Sequence, residues 1–189
     1  MTEFREDIHK AIEVLRSGGI ILYPCDTDWG MGCDASNPEA VNKLFELLKI
    51  QNPNEVLVLL ENPNRIISYV EEIPEVAWDL IDFAEKPLTI IHDGAKNLAK
   101  SIIAPDGSIA IRITAEEFSQ SLCQRFRKPL VFIQVNNAGK HANCFHEIPE
   151  ELKSKADYIV EYRQDERKSS APASIIKLGV SGLIKIIKE

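Results

Sequence analysis

Residues 18–35 read Gly-Gly-Ile-Ile-Leu-Tyr-Pro-Cys-Asp-Thr-Asp-Trp-Gly-Met-Gly-Cys-Asp-Ala, and this stretch decides the fold. The paired glycines suit a helix stop. Ile20, Ile21, Leu22 and Tyr23 form a short apolar run of the kind that makes a buried strand. Pro24 removes a ladder donor and ends it. Cys25, Asp26, Thr27, Asp28 and Trp29 then set small polar groups and one large ring in a single loop. Gly30 and Gly32 let the backbone turn or approach a ligand closely. Loops that leave strand ends are where open α/β sheets bind ligands. Others only join a strand to a helix, and spacing alone leaves the two readings level.

Working outward, Phe4, Ile8, Ala11, Ile12 and Leu15 recur at helical spacing before Gly18. Downstream, Ser36-Asn37-Pro38 is a helix start, a polar cap followed by Pro at the first turn. Val41, Leu44, Phe45 and Leu48 then mark one apolar face that ends near Lys49. Val56–Leu60 is unbroken and apolar, an interior strand. Asn62-Pro63 and Pro74 open two further helices, and Leu88–Ile91 is the next strand. Residues 93–107 read as a surface loop closed by a Pro-Asp-Gly turn. Ile109, Ile111 and Ile113 alternate with Ala110, Arg112 and Thr114, a half-exposed strand. A helix over 115–126 precedes the strand Leu130–Val135. Residues 140–156 are mixed, and Tyr158–Tyr162 is a strand. The charged segment 163–172 reads as mobile, and Ser174–Leu178 with Leu183–Ile187 as a hairpin. Helices interleaved with strands predict a twisted open mixed α/β sheet flanked by helices, a single domain over residues 1–189.

Composition narrows the function. The 189 residues carry a formal net charge of −7, which argues against a strongly electrostatic nucleic-acid binder. It leaves room for a local basic groove. No apolar run approaches the roughly 20 residues of a membrane span, and the acidic Met-Thr-Glu-Phe-Arg-Glu-Asp start lacks a signal-peptide core. A cytoplasmic protein with no membrane partner is expected. The four cysteines at 25, 33, 123 and 144 form no Cys-x-x-Cys pair, so neither zinc nor a disulfide framework is expected. His141, Cys144 and His146 lack a fourth ligand nearby, so no metal site is expected there. Walker A, Gly-x-Gly-x-x-Gly and Gly-x-Ser-x-Gly sequences are absent.

Several strands are followed by small polar residues: Cys25-Asp26-Thr27, Asn136-Asn137 and Ser174. If these ends converge with Arg112, they make a polar cleft with one fixed cation. A guanidinium grips a carboxylate or phosphate through two parallel hydrogen bonds. Spacing alone favours the other reading of Arg112, a solvated side chain on an exposed sheet face. Trp29 either lines a pocket or plugs the core.

Gly18–Ala35 resembles the signature of the YrdC-like, or threonylcarbamoyl-AMP synthase, family: two glycines, an apolar strand, Tyr-Pro-Thr-Asp/Glu-Thr-x-Tyr-Gly-Leu, then a Cys/Asp-Ala end. The likeness continues in order. Lys49-Ile-Gln-Asn-Pro-Asn-Glu-Val-Leu resembles the family's Lys-x-Arg segment, and Lys86-Pro-Leu-Thr its Gly-Pro-Leu-Thr strand. Ile109–Ile113 is similar to the strand carrying a family Arg. Pro129–Gly139 resembles Pro-Leu-…-Thr-Ser-Ala-Asn-x-Ser-Gly, and Pro172-Ala-Ser-Ile-Ile resembles Pro-Ser-Thr-Ile/Val-Val.

The resemblance implies a YrdC-like twisted sheet with a concave cleft. It also implies synthesis of threonylcarbamoyl-AMP from threonine, bicarbonate and ATP, with release of pyrophosphate, in service of the tRNA t6A modification. Mg²⁺ would be carried by the nucleotide phosphates. By position, Cys25, Asp26, Thr27, Trp29, Gln134, Asn136 and Ser174 would bind substrate. Lys49, Gln51, Asn54 and Asn136 would bind nucleotide, and Lys49 and Arg112 would be catalytic. Family members have also been described as binding double-stranded RNA, so a non-catalytic paralogue that binds nucleotide or RNA is the alternative. The chain departs from the pattern at Cys25, Trp29, Met31, Gln51, Glu55, Gln134, Ala173 and Lys177. These changes remove a permanent positive charge at Gln51 and reshape the pocket wall.

Overall fold

The computed structural model describes residues 4–137, 140–142, 144–167 and 172–188. Of the segment 163–172 expected to be mobile, residues 168–171 lie outside the described residues. Helix α1 (Arg5–Arg16) buries Ile8, Ala11, Ile12 and Leu15, as its spacing predicts. It leads into strand β1 (Ile21–Pro24), which turns directly into β2 (Trp29–Gly32). Helix α2 (Pro38–Leu48) starts on Asn37, whose side chain accepts from the Glu39 and Ala40 amides, and ends at Lys49 in the left-handed region. Strand β3 (Leu57–Leu60), helix α3 (Val76–Asp82), β4 (Leu88–His92), β5 (Ile109–Ile113), helix α4 (Glu117–Phe126) and β6 (Leu130–Gln134) follow. Asn62-Pro63 opens a 3-10 helix over Pro63–Ser68 rather than an α-helix. A small ladder pairs β7 (Asn136–Asn137) with β8 (Lys140–His141). The last described elements are α5 (Glu150–Lys153), β9 (Tyr158–Ile159), β10 (Ser174–Leu178) and β11 (Ile184–Lys188).

Among the described residues nine strands join in one mixed sheet, in the order β11-β10-β4-β5-β3-β6-β2-β1-β9. The β10–β4, β3–β5 and β1–β9 pairs are parallel, and the others antiparallel. The expected twisted mixed sheet with flanking helices is what forms. The main core gathers α1, α2 and α4 against β1, β3 and β6, and a smaller cluster of Ala77, Ile90, Ile176 and Leu178 lies under α3.

One expectation is corrected here. Residues 25–33 are not one loop running to a helix, because Trp29–Gly32 is a strand in the middle of the sheet. The backbones of β1 and β6 pass on either side of it, and the packing demands the glycines. A Cβ on Gly32 would run into the Val131 carbonyl oxygen of the neighbouring strand. Gly32→Ala is therefore expected to cost about 2 kcal/mol through forced backbone displacement. Chemical denaturation measures it, and a change below about 0.5 kcal/mol would contradict this packing.

The pleat of the central pair fixes what each face presents. Thr89 lies across from Arg112, and Ile91 across from Ala110. Those four share one face. Leu88, Ile90 and His92 of β4 share the other with Ile109, Ile111 and Ile113 of β5.

Candidate active site

The first of these faces opens onto a cavity of about 300 Å³. Its lining includes Thr27, Asn54, Glu55, Thr89, Arg112, Phe132, Gln134, Asn136 and Lys188. Arg112 is its centre. Only 6% of the residue is exposed. Its Nε and Nη2 both donate to Thr89 Oγ1, at 3.0 and 2.9 Å, and Nη1 donates to Thr27 Oγ1 at 3.4 Å. The cross-strand pairing of Thr89 with Arg112 sets that hydroxyl beside the guanidinium. No Asp or Glu among the described residues forms an ion pair with Arg112. A desolvated guanidinium held by two hydroxyls keeps its capacity for an anion. The expectation that Arg112 is solvated is thus wrong. Alternation gives the face, but the hairpin turn and β4 bury it.

Thr27 reaches the site from the β1–β2 turn. That turn is held from behind by Asp26, whose Oδ1 accepts from the Ala115 and Glu116 amides at 2.7 and 3.1 Å and whose Oδ2 accepts from Thr114 Oγ1 at 2.8 Å. Asp26 therefore points away from the cleft, which corrects its expected place in the substrate pocket. Its carboxylate is spent on the β5–α4 junction, near the positive end of α4. Asp26→Ala is expected to lower stability by about 2 kcal/mol, because four donors, the Cys25 thiol among them, lose their acceptor. Urea unfolding reads this, and an unchanged midpoint would show that the clamp carries nothing.

Cys25 is wholly buried, and its Sγ is 4.0 Å from Arg112 Nη1. Burial, and then the nearby Asp26 charge, push its thiol up from the ordinary range. It stays protonated at neutral pH and is no thiolate nucleophile. It packs behind the guanidinium without lining the cavity. Arg163 ties the same turn to the 160–167 segment: its Nη1 donates to the Cys25 carbonyl at 3.3 Å and lies 3.5 Å from Glu116 Oε1. Burial raises the Glu116 pKa.

Thr27, Asn54, Arg112, Gln134 and Asn136 come together as expected. Gln134 also donates from Nε2 to Asp28 Oδ2, which ties the β1–β2 turn to the end of β6. Other expected residues do not line this cavity. Trp29 is buried against Phe145, ring centroids 5.0 Å apart, so it plugs the core. Lys49 and Gln51 are exposed beyond the end of α2. Ser174 pairs with Leu88 across β10–β4 and lines a different cavity with Val76, Leu80 and Phe83, because the pleat turns it toward α3. In the 140–146 loop, the His141 side chain lies outside the described residues, and no group of three His, Cys, Asp or Glu side chains gathers among the described residues.

Thr89 and Lys188 are site residues that the sequence reading assigned no role. Thr89 sits in the quoted Lys86-Pro-Leu-Thr run and pairs directly across the ladder with Arg112. Lys188 reaches the cavity because β11 pairs antiparallel with β10, placing it across from Ile175. The cleft thus holds two cations, Arg112 and Lys188, and one carboxylate, Glu55, with amide and hydroxyl groups around them. Such a lining takes a small anion or a phosphate-bearing molecule. No helix is long and apolar enough to cross a membrane among the described residues.

Comparison with known proteins agrees with this architecture. A threonylcarbamoyl-AMP synthase of Coxiella burnetii is 30% identical over 141 residues, covering 74% of this chain and 76% of that protein. The structure of E. coli YciO superposes with a TM-score of 0.82 at 19% identity, covering 96% of this chain and 88% of that one. P. abyssi Sua5 complexed with L-threonine gives a TM-score of 0.78 at 23% identity, covering 90% of this chain and 50% of that one. Residues 13–189 match the Sua5/YciO/YrdC family, described as telomere recombination, and the chain belongs to that family.

Proposed function

We propose that this protein is a threonylcarbamoyl-AMP synthase serving tRNA t6A modification. The observation that carries the reading is Arg112, a buried guanidinium without a carboxylate partner among the described residues, facing a cavity that also holds Lys188. Threonine brings a carboxylate and ATP brings phosphates, and both suit these cations. The Coxiella relative bears the synthase name, and the Sua5 structure of the same fold was solved with L-threonine.

In the proposed reaction, the threonine amine attacks bicarbonate, a C–N bond forms as a C–O bond breaks, and water leaves to give a carbamate. One of its oxygens then attacks the α-phosphate of ATP, and pyrophosphate leaves. Arg112 holds the carboxylate end of the amino acid, oriented by Thr89 and Thr27. Lys188 offsets phosphate charge, and Asn54 and Asn136 donate amide hydrogens to the nucleotide. Catalysis on this scheme is positioning and charge stabilisation. Mg²⁺ would be carried by the nucleotide phosphates, and Glu55 on the cleft rim would offer an oxygen of the type that ion prefers. The substrates, the ion and a cytoplasmic location are all parts of this proposal.

The test is pyrophosphate release from ATP and Mg²⁺, with threonine and bicarbonate each supplied or omitted. Release that needs both supports the synthase. No release above background at high enzyme concentration overturns it. Calorimetric binding of ATP or of double-stranded RNA without turnover would then favour a non-catalytic paralogue.

A further inference from the structure

We propose that the cavity behind the sheet, between β4, β5 and α3, is a second binding site, for a ring-sized, largely apolar, neutral molecule whose one hydrogen-bonding group is recognised by His92. This cavity lies on the face opposite Arg112, as the pleat of β4 and β5 requires. It measures about 310 Å³ and is walled by Ile66, Ile81, Ile90, Ile111 and Ile113, with Glu85 and Lys86 at its rim. An apolar cavity of roughly 150 Å³ already takes up benzene, so a substituted ring fits here.

His92 belongs to the same wall. It is 1% exposed, and neither ring nitrogen has a hydrogen-bond partner among the described residues. A buried imidazole left unpaired costs stability, and such groups are rare in folded proteins. Both nitrogens are closed off as the ring stands; a turn of the ring about its side-chain bonds toward the cavity that His92 lines brings one of them to a hydroxyl or amide on a ligand, which neutral imidazole matches with one donor and one acceptor. The ligand is neutral because the walls are isoleucine, where an isolated charge is costly. Of the two carboxylates that touch this cavity, Glu85 is exposed and Asp26 is occupied by Cys25, Thr114, Ala115 and Glu116. Phe83, 82% exposed at the end of α3, stands next to the rim residue Ala84. It lines the neighbouring cavity on the Ser174 side.

The experiment titrates the protein with phenol and with toluene while following isoleucine methyl NMR signals. Both probes are expected to shift Ile66, Ile81, Ile111 and Ile113, and to leave Ile175 in the cleft unmoved. In His92→Leu the ratio of phenol affinity to toluene affinity is expected to fall about 5-fold, the size of one lost hydrogen bond. His92→Gln, which keeps a donor and an acceptor, is expected to retain most of the ratio. Absence of shifts at millimolar probe, shifts in the cleft instead, or the same ratio in His92→Leu would each overturn the proposal. The readout is binding alone, so it succeeds or fails independently of the synthase reaction.

Discussion

Arg112→Met is expected to lower kcat/KM for pyrophosphate release by about 10²–10³-fold, the loss that follows when one partner of a desolvated charge pair is removed. The same substitution is expected to make the unliganded protein more stable, by about 1 kcal/mol or more. The two signs share one cause. The guanidinium is buried with hydroxyl partners and no carboxylate among the described residues, so the empty protein bears its desolvation, and the bound anion relieves it. An apolar side chain of similar length removes that cost and the binding together, the usual opposition between stability and activity at a site. Arg112→Lys keeps the charge but loses the planar fork and is expected to recover only part of the rate. Steady-state kinetics and thermal unfolding without ligand check both halves. A variant that stays within about 3-fold of the parent rate, or that unfolds earlier than the parent, would remove Arg112 from its central place.

The second large effect concerns acid. Burial lowers the His92 pKa from 6.5 to about 4, with a smaller opposing push from the Asp93 charge. The unfolded chain binds this proton more readily than the folded one. The neutral-His92 contribution is therefore fully present above pH 6.5 and is lost as pH falls from 6.5 to about 4. Over that interval His92 alone removes roughly 3 kcal/mol of stability. His92→Leu is expected to flatten the pH dependence between 6.5 and 4, and to raise stability at pH 7 by about 1–2 kcal/mol because two unpaired nitrogens disappear. Urea unfolding at a series of pH values compares the two proteins. Parallel curves would place the acid sensitivity elsewhere.

How much of this could be read in advance depends on what each residue reports. Val56–Leu60, Leu88–Ile91 and Leu130–Ile133 are legible strands, because short runs of β-branched, aliphatic and aromatic residues carry their own signal. Asn37-Pro38 marks the start of α2 for an equally local reason. Trp29–Gly32 is not legible. Two glycines in four residues read as a turn, and only the approach of the Val131 carbonyl and the Phe132 ring explains them. Arg112 is legible as the odd residue on an isoleucine strand. What covers it comes from the turn at residue 27 and from β4, both far away in the chain. Asp26 and Ser174 show the limit of carrying roles over by motif position. The sequence match holds at both, yet the β5–α4 junction claims Asp26, and pairing with Leu88 turns Ser174 toward α3.

Strand β1 has a consequence for synthesis. It pairs with β2 at once, through the turn at residues 25–28. Its other edge pairs with β9, Ile21 against Tyr158, and the Ile20 amide is received by Asp157 Oδ2 at 2.8 Å. A ribosome adding about 5–20 residues per second needs roughly 7–27 s to make the chain between those partners. For that time the apolar edge of Ile20–Tyr23 is open beside the emerging chain. Open apolar edges recruit strands from other molecules. Slower elongation across residues 25–157, or a shortage of chaperones, is therefore expected to send more of this protein into aggregates before it ever closes its sheet.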